Sequence, residues 1–92
     1  MVYNGELINN MDKLHTTKLG IERIKQNLGL ATDNVVEWCT QAIRQSDEII
    51  RTGKNWYIKS GNAVITINAN SYTIITAYKI RIKGGKYEFS NI

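Results

Sequence analysis

The sequence of 92 residues contains no proline, one cysteine and one histidine. A single cysteine, Cys39, excludes an internal disulfide framework and is typical of proteins in a reducing cytoplasm. One cysteine and one histidine, His15, cannot supply the ligands of the common structural zinc sites. The sequence also has no EF-hand loop and no glycine-rich phosphate-binding motif, so we expect neither a metal ion nor a cofactor.

Long apolar runs are missing as well, and none approaches the roughly 20 residues that a membrane-spanning helix requires. The first residues, MVYNGELINN, have no basic patch ahead of an apolar stretch and therefore do not predict a secretory signal. These absences predict a cytoplasmic protein without a membrane partner. The hydrophobic share of 42% and the charged share of 22% are typical of a globular protein, and we expect one domain over residues 1–92.

Acidic residues are scarce in the second half of the chain. Residues 1–48 contain five basic and seven acidic side chains, whereas residues 49–92 contain seven basic side chains and one acidic side chain. The first half therefore has a formal charge of −2 and the second half a charge of +6, which together give the net charge of +4. This asymmetry predicts a polyanionic partner, such as nucleic acid, for the second half.

The first half, over about residues 5–48, has the apolar periodicity of helices. We expect a short helix over residues 5–14, a second helix that ends at Gly29, and a third helix that ends near residues 46–48. The expected N-terminal caps are polar side chains, either Thr16 or Thr17 for the second helix and either Thr32 or Asp33 for the third.

The second half, over about residues 49–92, has the period of two that is typical of β-strands. Turn-forming residues separate the strands at 60–62, 68–71 and 84–85. We expect a four-stranded antiparallel meander, with residues 49–51 as a candidate further strand at its edge. Because all helices precede all strands, the sequence predicts an α+β fold in which two or three helices pack on one face of the sheet.

The longest expected strand, residues 72–83, has cations at alternating positions, Lys79, Arg81 and Lys83. Burying three unpaired cations would be prohibitive, so we predict that the even-numbered residues pack on the helices and that the odd-numbered residues face solvent. Such a row of cations can follow a phosphate backbone. The neighbouring side chains that we expect to join this surface are Lys54, Lys59 and Tyr57. The alternative is a purely solubilising role, since lysines on an exposed strand also prevent edge-to-edge association.

Two residues are weaker candidates for catalysis, His15 and Arg23. A metal-free ribonuclease needs a base, an acid and a cation near the phosphate, and His15 or Glu22, Arg23 and Lys79, with Tyr78, are of the required types. The alternative for His15 is a hydrogen-bonding role in the connection between two helices. Cys39 lies on the apolar stripe of the third helix, which favours a buried core residue over a catalytic thiol.

Four stretches resemble a family of small bacterial proteins that is known only as a domain of unknown function. They are LHTTKLGIERIKQNLGL (14–30), VVEWC (35–39), GKNWYI (53–58) and ITINANSYTIITAYK (65–79). The resemblance extends over roughly residues 11–80 and implies no particular activity. More loosely, the order of helices and strands is similar to that of the barnase/RelE-like small ribonucleases, a resemblance of fold that does not determine function.

Three functions follow as hypotheses. The first is a small, non-catalytic binding module whose basic sheet face contacts RNA or DNA. The second is a phage or mobile-element inhibitor, similar to anti-CRISPR proteins, that binds a nuclease complex; small size and a composition rich in Ile, Asn and Lys are typical of such proteins. The third is a ribonuclease toxin. The expected partner is nucleic acid or a protein complex that handles it, and a homodimer through a free sheet edge is a further expectation.

Overall fold

The computed structural model describes residues 5–83 and 86–89, and it describes side chains as far as Ile80. Its elements in chain order are α1 (Gly5–Asn9), a short 3-10 helix (Met11–Lys13), α2 (Lys18–Leu28), α3 (Val35–Arg44), β1 (Glu48–Thr52), β2 (Asn55–Ser60), β3 (Ala63–Asn68), β4 (Ile74–Lys83) and β5 (Lys86–Phe89). The turn expected at residues 84–85 lies outside the described residues, as do the side chains of Arg81 and Lys83.

The ends of the helices follow from local hydrogen-bond chemistry. The Thr17 hydroxyl accepts a hydrogen bond from the Gly20 amide at 3.0 Å and begins α2, and Gly29 ends it in the left-handed conformation with φ of 67°. Both expectations are confirmed. Helix α3 begins later than expected, because its cap is Asn34 rather than Thr32 or Asp33, and the Asn34 side chain accepts from the Glu37 amide.

The first expected helix is interrupted. Helix α1 ends at Asn9, and a 3-10 turn replaces the rest of it. The three apolar side chains of this segment that recur at helical spacing are nevertheless all buried, namely Leu7, Met11 and Leu14. The tighter turn therefore changes the backbone and leaves the burial pattern intact.

The strands form one antiparallel sheet in the order β1-β2-β3-β4-β5. The α+β prediction is confirmed, and the candidate edge segment at residues 49–51 belongs to β1, an outer strand. Among the described elements, α2 packs on β4 and α3 on β2. The core lies between these helices and one face of the sheet, and its largest fully buried side chains include Trp56, Ile24, Ile43, Ile58, Ile65, Ile67 and Ile74.

A β-bulge in β4 reverses the expected alternation of its side chains. Thr66 pairs with Thr76, whereas the next residue, Ile67, pairs with Ile74, so Ile75 is an extra residue without a cross-strand partner. Ile75 is 43% exposed. After the bulge, the register places Ala77 and Lys79 on the face that packs against the helices, and Ala77 is fully buried.

The prediction that odd-numbered residues face solvent is therefore wrong for Ala77 and for the face on which Lys79 lies. Lys79 pairs with the buried Ala63, and this register places Lys79 on the face that the helices cover. Lys79 nevertheless stays exposed, because it lines a cleft beside the helices. The prediction assumed that a cation on the helical side must be buried, and the cleft removes that penalty.

The bulge lies beside a contact between the two halves of the chain. His15 forms a parallel bridge with Thr73, in which the His15 amide donates to the Tyr72 carbonyl at 3.2 Å and the Ile74 amide donates to the His15 carbonyl at 2.7 Å. The Ile74 amide thus donates its hydrogen bond to the helical half of the chain. Tyr72 has a φ of 60°, a conformation that costs a bulky residue about 1 kcal/mol or more.

Candidate functional site

One face of the sheet is open to solvent in the described part of the structure, and we call it the open face. Strand register assigns to it Glu48, Ile50, Tyr57, Lys59, Val64, Thr66, Thr76 and Tyr78. Ile50 is 45% exposed and Tyr57 is 39% exposed. Exposed apolar and aromatic side chains beside polar ones are typical of a surface that binds another molecule.

Two tyrosines lie close together on the open face. Asn55 donates a hydrogen bond from its side-chain amide to the Tyr57 hydroxyl at 3.3 Å. Burial raises the pKa of Tyr78, and the nearby Tyr57 raises that pKa further. Thr66, which pairs directly with Tyr57, is a buried polar residue with 7% exposure. The tyrosines and Thr66 thus lie together at the centre of the open face.

The charges around this centre are mixed. Lys59 follows Tyr57 by two residues and is exposed on the same face, as the alternation of β2 predicts. Glu48 lies directly across from Lys59 on β1. Lys54 is exposed in the turn that joins β1 to β2. The structure therefore brings Tyr57 and Lys59 together and places Lys79 on the opposite face; where the Arg81 and Lys83 side chains lie is outside the described part of the chain.

The second feature is a cleft of about 530 Å³ on the helical side, which we call the α3 cleft. Helix α3 contributes one stripe of side chains at helical spacing, including Glu37, Trp38 and Gln41. The hairpin between β2 and β3 contributes Asn62, and β4 contributes Lys79. Trp38 is half-buried, in contrast to the second tryptophan, which belongs to the core.

The third feature is a hydrogen-bonded group around His15. The Nδ1 atom of His15 lies 3.0 Å from the Lys13 carbonyl oxygen, so this nitrogen carries the proton and donates it. Its Nε2 atom lies 3.1 Å from the Thr73 hydroxyl, which lies 2.7 Å from the Ser71 hydroxyl. Asn68 accepts hydrogen bonds from the Ser71 amide and hydroxyl through its side-chain oxygen. His15 and Thr73 are 58 residues apart in sequence, so this hydrogen bond joins the two halves of the chain.

The structure does not bring the candidate ribonuclease residues together. His15 bonds to Thr73 at one end of β4, whereas Lys79 is six residues further along, about 20 Å away in an extended strand. Tyr78 lies on the open face, opposite Lys79. Arg23 is exposed on α2, one position before the buried Ile24. These side chains do not surround one phosphate-sized site.

Two features were missed at the level of sequence. Tyr78 was assigned to the buried face, because the bulge at Ile75 carries no glycine that would have revealed it. The cleft beside Trp38 is the second, because it depends on how α3 packs on the sheet. The sequence feature that could have indicated the cleft is the side of α3 on which glutamate and glutamine residues alternate with apolar residues.

Burial raises the pKa of the Cys39 thiol to about 12. The Cys39 side chain is fully buried, in agreement with the predicted core position.

Among the described residues, no three His, Cys, Asp or Glu side chains are grouped so that they could hold a metal ion. No described helix has the length and apolar character that a bilayer crossing requires.

The two stretches that meet at His15 and Thr73 are among those that carry the family resemblance. A family model, described as "Protein of unknown function (DUF3781)", matches residues 8–78. This range includes His15, Trp38, Tyr57, Lys59 and Tyr78. Neither the curated proteins nor the solved structures contain a match to this chain. The looser resemblance to the barnase/RelE-like group stays a prediction. Since the family model spans most of its length, the chain belongs to the DUF3781 family of proteins of unknown function.

Proposed function

We propose that this protein is a non-catalytic cytoplasmic module that binds single-stranded nucleic acid on the open face of its sheet. The observation that carries the proposal is that Tyr57, Lys59 and Tyr78 share this face. Aromatic rings offer stacking platforms to unpaired bases, and a lysine beside them offers a partner to the phosphate backbone. The formal charge of +6 in residues 49–92 supports attraction of a polyanion.

The open face is not a simple basic patch. Lys59 faces Glu48 across the strand pair, so the local attraction of this surface for phosphate is weaker than the +6 charge of residues 49–92 alone would give. Stacking on the tyrosines must then supply much of the affinity, and duplex DNA, whose bases are already stacked, binds less well than a single strand. The affinity therefore depends on both Tyr57 and the salt concentration.

The test is fluorescence anisotropy with labelled single-stranded RNA and DNA of about 10 nucleotides. Tyr57→Ala is expected to weaken binding about tenfold or more, since stacking on one aromatic ring contributes about 1–3 kcal/mol. Lys59→Gln is expected to weaken binding and to reduce the dependence of affinity on salt by about one phosphate contact.

Lys79→Gln is the matched control. It makes the same change of charge in the same sheet, on the opposite face. The proposal requires that Lys79→Gln leaves oligonucleotide binding unchanged while Lys59→Gln weakens it. Equal effects of the two variants would mean that net charge governs binding, and wild-type affinity in Tyr57→Ala would exclude the open face as the binding surface.

A second candidate function is that of an inhibitor, which binds a nuclease complex through the open face. The exposed Ile50 lies directly across from Tyr57, and the pair of Glu48 and Lys59 is complementary to mixed charges on a protein surface. Ile50→Lys separates the two candidates: it abolishes a complex with protein, whereas it leaves or strengthens binding to an oligonucleotide. Pairing of two copies along β1 is also part of this proposal, and light scattering of the purified protein measures it.

A further inference from the structure

The α3 cleft has the size and the lining of a site for a small ligand. Its volume of about 530 Å³ lies within the range of about 300–1,000 Å³ that ligand pockets occupy. Ala42 and Ala63 contribute apolar surface, and side-chain amides and two charged groups provide polar contacts. The cleft lies on the helical side of the sheet, so it is separate from the open face.

Trp38 determines the shape of ligand that the cleft accepts. Its indole ring is half-buried against the protein and lines the cleft. A large, rigid ring of this kind binds a flat heteroaromatic group by stacking. Gln41 and Asn62 line the same cleft, and a side-chain amide both donates and accepts hydrogen bonds, as the edge of a nucleobase requires.

Two charged groups line the cleft without forming an ion pair with each other. Among the described residues Lys79 has no carboxylate partner, and it is exposed and lines the cleft. Glu37 accepts a hydrogen bond from the Asn34 side-chain amide at 2.8 Å through one carboxylate oxygen, and its other oxygen has no partner in the described part of the chain. The cleft therefore offers a cation to an anionic group and a carboxylate to a hydrogen-bond donor.

We propose that the α3 cleft binds a nucleoside monophosphate whose base carries an exocyclic amino group. The base stacks on Trp38, its amino group donates to Glu37, and its phosphate lies against Lys79. A base without an exocyclic amino group, such as uracil, brings a carbonyl oxygen to the Glu37 carboxylate and is rejected. This site is independent of the proposed binding of an oligonucleotide to the open face.

Intrinsic tryptophan fluorescence tests the proposal directly. The sequence has two tryptophans, and Trp56 is only 2% exposed, so a ligand that stacks in the cleft changes the emission of Trp38. Titration with AMP is expected to give a saturable change. UMP and inorganic phosphate are expected to bind at least about fivefold more weakly, because each lacks one of the required contacts.

Variants assign the contacts. Lys79→Gln is expected to weaken AMP binding about fivefold and to leave adenosine binding unchanged, since adenosine has no phosphate. Lys79→Arg keeps the charge and is expected to restore AMP binding. Glu37→Gln is expected to reduce the preference for AMP over UMP. Lys18→Gln, a loss of the same charge at an exposed position of α2 outside the cleft lining, is the matched control and leaves AMP binding at the wild-type level.

Three results would overturn the proposal. AMP that causes no saturable change in fluorescence, and no shift of the side-chain amide resonances of Gln41 and Asn62 at about 10 mM, would exclude a nucleotide site. Equal affinities for AMP and UMP would exclude recognition through Glu37. Unchanged AMP binding in Lys79→Gln, with the wild-type circular dichroism spectrum, would exclude the phosphate contact.

Discussion

Lys79 lies directly across from Ala63 in the pairing of β3 with β4, and this register places it on the side of the sheet where the helices pack. Lys59, by contrast, is exposed on the other side. Two lysines that belong to the same basic half of the chain thus serve different surfaces. The bulge at Ile75 accounts for the difference, because one extra residue exchanges the faces of the described side chains that follow it, Lys79 among them.

The bulge predicts opposite outcomes at two odd-numbered positions of β4. Ala77→Glu is expected to lower the free energy of unfolding by about 3 kcal/mol or more, because it buries a carboxylate without a partner. Ile75→Glu is expected to change the free energy of unfolding by less than about 1 kcal/mol, because Ile75 is exposed. Urea denaturation followed by circular dichroism measures both. Similar losses in the two variants would indicate a regular strand without the bulge.

Substitution of Gly20 by alanine is expected to have an unusual effect on the stability of the protein. A methyl group at this position would overlap the Thr16 hydroxyl, which donates a hydrogen bond to the Ile74 carbonyl at 2.8 Å. Gly20→Ala is therefore expected to destabilise the protein by about 1–2 kcal/mol, although alanine in a helix is ordinarily favoured by about 1 kcal/mol over glycine.

The control for Gly20 is the same substitution in a Thr16→Ala background. Removal of the hydroxyl relieves the overlap, so Gly20→Ala is expected to be neutral or stabilising there. Thermal unfolding of the four proteins measures the coupling between the two positions. Additive effects would show that the close approach of α2 to β4 does not restrict this position.

Burial of the Cys39 thiol predicts a loss of stability at alkaline pH. The pKa is raised from 9.0 to about 12 in the folded protein, so the unfolded chain releases this proton first as the pH rises. The contribution is fully present below about pH 9 and is lost by about pH 12, with a total of about 4 kcal/mol at most.

Cys39→Ala removes this titration and serves as the reference. Between about pH 8 and about pH 10, the wild-type protein is expected to lose about 1 kcal/mol more unfolding free energy than Cys39→Ala. Both proteins share all other titrating groups, so the difference isolates the thiol. Identical pH profiles would contradict the burial of Cys39, as would rapid reaction of the native protein with a thiol reagent.

The hydrogen bond between His15 and Thr73 predicts energetic coupling between the two halves of the chain. His15→Ala and Thr73→Val are each expected to destabilise the protein by about 1 kcal/mol, and the double variant by less than the sum. A double-mutant cycle in urea measures a coupling of about 0.5–1 kcal/mol. A coupling of zero would mean that this contact is not maintained in solution.

Much of the fold was predictable because its determinants are local. The Thr17 cap and the Gly29 end of α2 depend on hydrogen bonds and backbone angles within a few residues. The same holds for the two-residue turn between β2 and β3, where Gly61 has a φ of 61°. The sequence also predicts that Tyr57 and Lys59 share one face, because side chains alternate regularly along β2 and no bulge interrupts that strand.

The sequence by itself determined the α+β order, the buried apolar residues of each helix, and the concentration of positive charge in the second half. Only the tertiary structure decided which cations share a face. The physical reason lies in the Ile74 amide, which donates to the carbonyl of His15 far earlier in the chain, next to the bulge at Ile75. The short-range periodicity of the sequence does not reveal such a long-range hydrogen bond. The faces on which Ala77, Tyr78 and Lys79 lie depend on the bulge beside it.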